Sequence, residues 1–322
     1  MVPIIKSLLS ATGCGTGLFA LNRWRTQKAL RIFTYHGVQR CDDPVLNYDR
    51  LQVDPDLFEK QVAWIASRYR IISGTEFLSA IEAGCQWPER SALITFDDGY
   101  ANNLEIAAPI LKRYGLPAVV FITTGFVEGS EAPWWYALRA GNGMRDMRCG
   151  AEVAEMMRKE AELAKKPRSE QARFADPEFR IPNLFPFMQP QQLAELKSFG
   201  IEIGLHGHAH LACGVEEQDV VLADLRTCRQ KLEGWGIEPL PLFAYPYGSV
   251  PEVGRRESEV RCQRSEVGGL FSGLGRLGIR AAFTTRMGLN PPGCDPYFMR
   301  RFDVNGGRTV VNLAAISSGF WR

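Results

Sequence analysis

Ser91-Ala92-Leu93-Ile94-Thr95-Phe96-Asp97-Asp98-Gly99-Tyr100 is a short apolar run that ends in two adjacent carboxylates and a glycine. An apolar strand with Asp-Asp-Gly at its C-terminal end is how parallel α/β folds, open or barrel-shaped, present catalytic or metal-binding oxygens. The stretch therefore predicts a central strand and chemistry at its end. Taken alone, the carboxylate pair also fits a Mg²⁺ or phosphatase-type site, or a helix N-cap.

Outward from this run the chain alternates between strand and helix patterns. Upstream, Arg31–Val38 is a β-type run containing His36 and Gly37, and Phe58, Val62, Ile65, Ala66 and Tyr69 follow the helical period. A short strand at Arg70–Ser73 and a helix through Phe77, Leu78 and Ile81, closed by Gly84, come next. Downstream lie a helix through Leu104, Ala107 and Leu111 and the strand Ala118–Ile122. The stretch at about 125–190 breaks the rhythm with Trp134-Trp135-Tyr136, a charged helical segment at Met156–Lys166 and a Pro/Phe-rich segment at Pro182–Phe187. It reads as an excursion from the core. Alternation resumes with a helix through Leu193, Leu196 and Phe199, the strand Ile201–Leu205, a long helix through Val221, Leu225 and Leu232, and the strand Leu242–Tyr245. An Arg/Glu/Gly-rich insertion then precedes the strand Ala281–Thr285. Seven or eight strands alternating with helices fit a closed or nearly closed α/β barrel better than an open sheet.

The bulk composition sets limits. A chain of 322 residues that is 45% hydrophobic can bury a sizeable core, which excludes disorder as its main state. Its 38 basic and 36 acidic side chains nearly cancel, so nothing electrostatic points to nucleic acid as a partner. The basic clusters at Arg23–Arg31 and Arg255–Arg264 read as solvated faces. Eight scattered cysteines with no Cys-x-x-Cys pair favour free thiols in a reducing compartment. The expected location is the cytoplasm or the inner-membrane periphery, with export to the periplasm as the alternative. Residues 1–28 read as an N-terminal amphipathic segment with Leu8, Leu9, Leu18, Leu21 and Trp24 on its apolar side, lying on the domain or on a membrane surface. Residues 29–322 form the barrel domain.

The four histidines are His36, His206, His208 and His210, and three of them cluster just past an apolar strand. His206 and His210 are four apart, so on a helical turn both imidazoles face one way and can grip one ion, while His208 points elsewhere as a structural residue. Two histidines and one carboxylate leave open positions for water and substrate. Asp98 or Asp97 is the natural third ligand, and the other is then free to act as a base. Cys213 reads as a bystander, because a thiolate would close the site. Trp134, Trp135 and Tyr136 are either core of the excursion or a stacking platform for sugar rings.

Thr95-Phe96-Asp97-Asp98-Gly99-Tyr100, the pair His206 and His210 after Glu202-Ile203-Gly204, and Tyr245-Pro246-Tyr247-Gly248 stand in the order and spacing of the NodB-like polysaccharide deacetylases, carbohydrate esterase family four. The chain resembles that family over roughly residues 30–305. The resemblance implies a distorted (β/α)7 barrel in which Asp97 is the general base. It further implies that Asp98, His206 and His210 hold one divalent ion, zinc first, with cobalt, nickel or iron as alternatives. The backbone N–H of Tyr247 would complete an oxyanion site. Three positions depart from the family pattern: Gly207 stands where Ser or Thr is usual, Ala244 where an arginine orients the base, and no Leu-His motif follows near the C-terminus. Arg301, in Met299-Arg300-Arg301-Phe302, is the candidate substitute for the arginine. The circularly permuted poly-N-acetylglucosamine deacetylase-like branch carries its acid histidine in an N-terminal Tyr-His motif, which Tyr35-His36 resembles, so His36 is the candidate general acid. The implied function is metal-dependent hydrolysis of N-acetyl groups on amino sugars of a polysaccharide or its lipid-linked precursor, with an N-acetylated glycan as partner. The alternatives are a deformylase or deacetylase of a small glycolipid or linear amide, and a catalytically weak carbohydrate-binding barrel.

Overall fold

Strands that are apolar without alternation belong in parallel sheets covered on both faces. Accordingly, Ser91–Phe96 is buried along its whole length in the computed structural model, which describes residues 17–41, 47–141, 150–171, 173, 185–251 and 269–319. The strands in chain order are β1 (Arg31–Tyr35), β2 (Gly37–Val38), β3 (Gln52–Val53), β4 (Arg70–Ile71), β5 (Ser91–Phe96), β6 (Ala118–Ile122), β7 (Ile201–Leu205), β8 (Leu242–Ala244), β9 (Ala281–Phe283) and β10 (Phe302–Asp303). The main sheet runs β10-β1-β5-β6-β7-β8-β9, with parallel pairing throughout, and β2 and β3 form a separate small ladder.

Two seams distort it. β4 pairs with Ser91 and Ala92 at the start of β5, whereas β6 pairs only with Thr95 and Phe96 at its end, so the sheet splays between them. At the other side Met299 bridges to Phe283 of β9 and Phe302 pairs with Phe33 of β1. Residues 299–303 thereby carry the sheet from β9 round to β1. The result is a distorted (β/α)7 barrel.

Period-two alternation sorts the side chains onto two faces. Ile32, Leu93, Val119, Phe121, Leu242 and Phe283 form one buried cluster, which helix Gly74–Glu82 joins through Phe77 and Ile81. Phe33, Ile94, Val120, Phe243 and Ala282 belong to a second cluster, packed with Phe58 and Val62 of helix Pro55–Ala66 and Val221 and Leu225 of helix Gln218–Gly234. Asp54 caps the first of these helices by accepting from Asp56 N and Leu57 N. The expected helix through Leu193, Leu196 and Phe199 is the 3₁₀-helix Pro190–Phe199, which Pro190 starts and Gly200 ends.

Helix Leu18–Arg25 turns differently from the expected apolar side. Phe19 is buried with Ala314 and Ala315, and Asn22 Nδ2 donates to the Ser318 carbonyl at 2.7 Å, whereas Leu21 and Trp24 are 53% and 59% exposed. Anchoring by Phe19 and Asn22 fixes the helix with those two side chains outward. Leu8, Leu9 and the Arg255–Arg264 cluster lie outside the described residues. Among the described residues, no helix is long and apolar enough to cross a membrane, and Cys85, Cys213, Cys228 and Cys294 are free thiols.

The excursion contributes helices Trp134–Gly141, Gly150–Leu163 and Arg168–Gln171. Buried Arg139 ties it down, pairing with Glu160 at 2.7 Å and with Asp49, and lying over the Tyr48 ring at 4.4 Å. Trp134, Trp135 and Tyr136 are buried with Tyr100, Phe126 and Phe185. Their rings are core packing, not a sugar-stacking platform.

Candidate active site

Beyond β5 the backbone turns sharply. Asp97 N still bonds the Tyr35 carbonyl at 3.0 Å, and Asp98 then adopts a left-handed conformation at φ 75. The two neighbouring carboxylates consequently acquire different partners.

Asp98 Oδ1 is buried without a hydrogen-bond partner and lies 3.4 Å from Nε2 of both His206 and His210. Those distances are longer than a well-made N–H···O bond. Donor atoms of all three residues lie within 4.8 Å of one another. Burial pushes the Asp98 carboxyl up, but the two imidazoles outweigh it and hold the group well below the usual carboxylate range. Burial takes His210 down to about 4; for His206 burial also lowers the pKa, but Asp98 and Asp97 outweigh it and raise the group. His206 Nδ1 lies 2.7 Å from the Ala244 carbonyl, so its N–H belongs there and Nε2 is presented to Asp98. An orphaned, ionised oxygen facing two imidazole nitrogens in a buried site suits a divalent cation of the zinc type.

The histidine pair does not lie on a helical turn. After β7 the chain bends, with Gly207 at φ 85 and His210 at φ 53, and these two left-handed residues swing the imidazoles together. Asp224 of helix Gln218–Gly234 braces the bend, its Oδ2 accepting from His208 N and its Oδ1 from Ala209 N, both at 2.8 Å. A Cβ at position 207 would lie 2.6 Å from Asp224 Oδ2. Gly207 and Asp224 therefore go together: the carboxylate occupies the room a side chain at 207 would need. Asp224 is the residue that sequence reasoning missed. Its signal is an acid at helical spacing from the buried Val221 and Cys228. His208 turns away, with Nδ1 3.0 Å from Thr124 Oγ1 and Nε2 4.0 Å from Glu128. Asp224→Ala is expected to lose about 1–3 kcal/mol of stability by orphaning both N–H groups. Zinc affinity should fall about 10- to 100-fold with it, as read by competition with a chromophoric chelator.

Asp97 meets Arg301. The fully buried guanidinium donates from Nη1 to Oδ1 and from Nη2 to Oδ2, each at 2.7 Å. Arg301 also donates from Nε to the Thr284 carbonyl and from Nη1 to Thr34 Oγ1, both at 2.8 Å. Burial raises the Asp97 carboxyl, yet Arg301 first and His206 and His36 after it bring the net shift below the ordinary value. His36, half-buried between β1 and β2, is held through its carbonyl by Asn103 Nδ2 at 2.7 Å, and its charge also lowers Asp98. It thus shares the rim with both carboxylates.

The loop Pro246–Gly248 follows β8. Tyr247 is left-handed at φ 57 and ψ 6, and its N–H has no hydrogen-bond acceptor among the described residues. Gly248, at φ 63, lies so close to Thr285 that a Cβ would fall 2.0 Å from Thr285 Oγ1. The Tyr247 ring meets His210 edge-on at 4.5 Å, Trp135 packs 5.3 Å from the same imidazole, and the Tyr247 hydroxyl accepts from Trp134 Nε1 at 2.8 Å. Six described non-glycine residues have positive φ, and Asp98, His210 and Tyr247 are three of them. Each such residue costs about 1–3 kcal/mol, and such strain gathers at functional sites. Cys213 is buried, with its thiol on the Leu211 carbonyl.

Comparison with known proteins adds to this geometry. Poly-beta-1,6-N-acetyl-D-glucosamine N-deacetylase of Staphylococcus aureus is 36% identical over 109 residues, which cover 34% of this chain and only 36% of that protein. Among solved structures, the Streptococcus pyogenes deacetylase PplD in complex with acetate aligns with a TM-score of 0.61 at 17% identity, over 90% of this chain and 99% of that one. IcaB from Ammonifex degensii aligns at 0.59 and 19% identity, over 90% and 97%. Both structures share the fold. Residues 86–259, more than half of the chain, match the family description "Polysaccharide deacetylase" and include Asp97, Asp98, His206, His210 and Tyr247, so the chain belongs to the polysaccharide deacetylase family.

Proposed function

We propose that this protein hydrolyses N-acetyl groups on the amino sugars of a polysaccharide, with a β-1,6-linked N-acetylglucosamine polymer or its lipid-linked precursor as substrate. The observation that carries this reading is the division of labour between two adjacent buried carboxylates: Asp98 faces two imidazoles and Asp97 a guanidinium. The partial match to the Staphylococcus aureus enzyme supports the choice of glycan.

In this reading Asp98, His206 and His210 hold one divalent ion, zinc in the first instance, which when bound supplies Lewis acidity toward the amide oxygen and acidifies water. Asp97, kept ionised by Arg301, accepts the proton of the water that attacks the acetyl carbonyl carbon. The unpaired Tyr247 N–H donates to the oxygen that gains charge as the new C–O bond forms. His36 returns a proton to the sugar nitrogen as the C–N bond breaks, leaving acetate and a free amine. Burial of Asp97 and Asp98 keeps their charges in a poorly screened setting, where they act strongly.

The test is acetate release from an N-acetylated β-1,6-glucosamine oligomer, with metal analysis of the same sample. About one divalent ion per chain and acetate release abolished by chelator are expected. Affinity for the oligomer without acetate release would overturn the reading. His36→Gln should lower kcat by about 100- to 1,000-fold with metal content unchanged; unchanged turnover would remove His36 from the acid role.

A further inference from the structure

The buried aromatic excursion and the oxyanion loop meet at one hydrogen bond, from Trp134 Nε1 to the Tyr247 hydroxyl at 2.8 Å. Tyr247 is a large non-glycine residue in a conformation that favours glycine, and its free N–H is the one the proposed mechanism uses. Something has to hold it there. The hydroxyl end is anchored by Trp134, which is 1% exposed and therefore cannot trade this partner for water. The ring is gripped edge-on by His210 at 4.5 Å and by Trp135 at 6.2 Å. Trp134 itself sits at the start of helix Trp134–Gly141, whose Arg139 is locked to Glu160 and Asp49. The anchor is thus mounted on a fixed support outside the barrel.

We propose that Trp134 is a positioning residue for the deacetylation: by holding the Tyr247 phenol from above, it keeps the Tyr247 backbone in the left-handed turn that aims its N–H into the site. The inference deepens the function proposed above and rests on it. The excursion thereby becomes part of the catalytic apparatus, since the donor for the developing oxyanion is stabilised by a side chain from outside the barrel.

Trp134→Phe keeps the ring and removes the N–H, and Tyr247→Phe removes the acceptor while leaving the backbone N–H in place. Each is expected to lower kcat on the N-acetylated oligomer about 10- to 100-fold with KM within about twofold and metal content unchanged. The double variant should lose no more than the worse single one, because both break one link. A second readout does not depend on turnover. The chain has nine tyrosines, so protein labelled with ¹⁵N-tyrosine gives few amide signals, and the one absent from Tyr247→Phe is that of Tyr247. Trp134→Phe should move or broaden this signal while leaving most others in place. An unmoved Tyr247 amide, or losses that add in the double variant, overturns the proposal, as does a lowered melting temperature with unaltered kcat. If wild-type protein releases no acetate, the functional reading fails, while the amide signal still decides whether Trp134 sets the Tyr247 backbone.

Discussion

Arg301→Met is expected to lower kcat/KM about 100-fold or more at neutral pH and to move the acidic limb of the pH profile upward. The physical basis is the pair of parallel N–H···O bonds, both at 2.7 Å, between a fully buried guanidinium and Asp97. Remove the guanidinium and burial, the largest influence on the Asp97 carboxyl, loses its main opponent. The carboxyl then moves up from its depressed position, and less of the base is ionised at any given pH. Stability follows the same sign. A carboxyl depressed in the folded state contributes stability above the unfolded carboxylate range and loses it as pH falls through the folded value. In Arg301→Met that contribution disappears, and breaking a buried pair from one side costs about 3–5 kcal/mol. Thr34 Oγ1 and the Thr284 carbonyl lose a donor as well. Arg301→Lys should fall in between, because a single ammonium cannot make the two parallel bonds. Melting curves and pH–rate profiles of the three proteins check this, and an acidic limb that stays put in Arg301→Met contradicts it.

The second large effect separates the neighbouring carboxylates. Asp98→Asn is expected to purify with little or no divalent metal and to lose turnover about 1,000-fold or more, because a neutral amide replaces the charge between the two imidazoles. Asp97→Asn should lose turnover by a similar factor yet retain metal at about one equivalent, since its partner is Arg301. Metal analysis after exhaustive dialysis decides the matter. Equal metal loss in both variants would mean that the two carboxylates are not divided as proposed.

Much of the fold is legible in the chain because it is written in local patterns. The apolar runs at Ser91–Phe96 and Ala118–Ile122 are short and bounded by turn residues, which reads as strands covered on both sides, and the helices that alternate with them imply parallel order. That the Asp97-Asp98 pair meets His206 and His210 is legible for the same reason, since parallel strands bring their C-terminal ends to one rim, whereas the choice of Asp98 over Asp97 is what the family resemblance implies. What is not legible is long-range and conformational. Nothing local says that Asp224 reaches under Gly207, or that left-handed residues rather than a helical turn bring the two imidazoles together. The link between Trp134 and Tyr247 joins positions more than a hundred residues apart and depends on how the excursion folds over the rim. Arg301 is an intermediate case: the alanine at position 244 raises the question of a substitute, but only the route of residues 299–303 between β9 and β1 shows where its guanidinium goes.

That route has a consequence for how the protein is made. The guanidinium that neutralises Asp97 belongs to a segment far downstream of it, and Thr34, which it also grips, to one upstream of it. During synthesis a ribosome will have released β5, with both carboxylates, some two hundred residues before Arg301 emerges. Until then the barrel has an open seam, and Asp97 has no cation to pair with from that side. Nascent chains arrested before residue 301 should accordingly be inactive and readily cleaved by protease at that seam, while chains extended past helix Val310–Ser317 close and become active together.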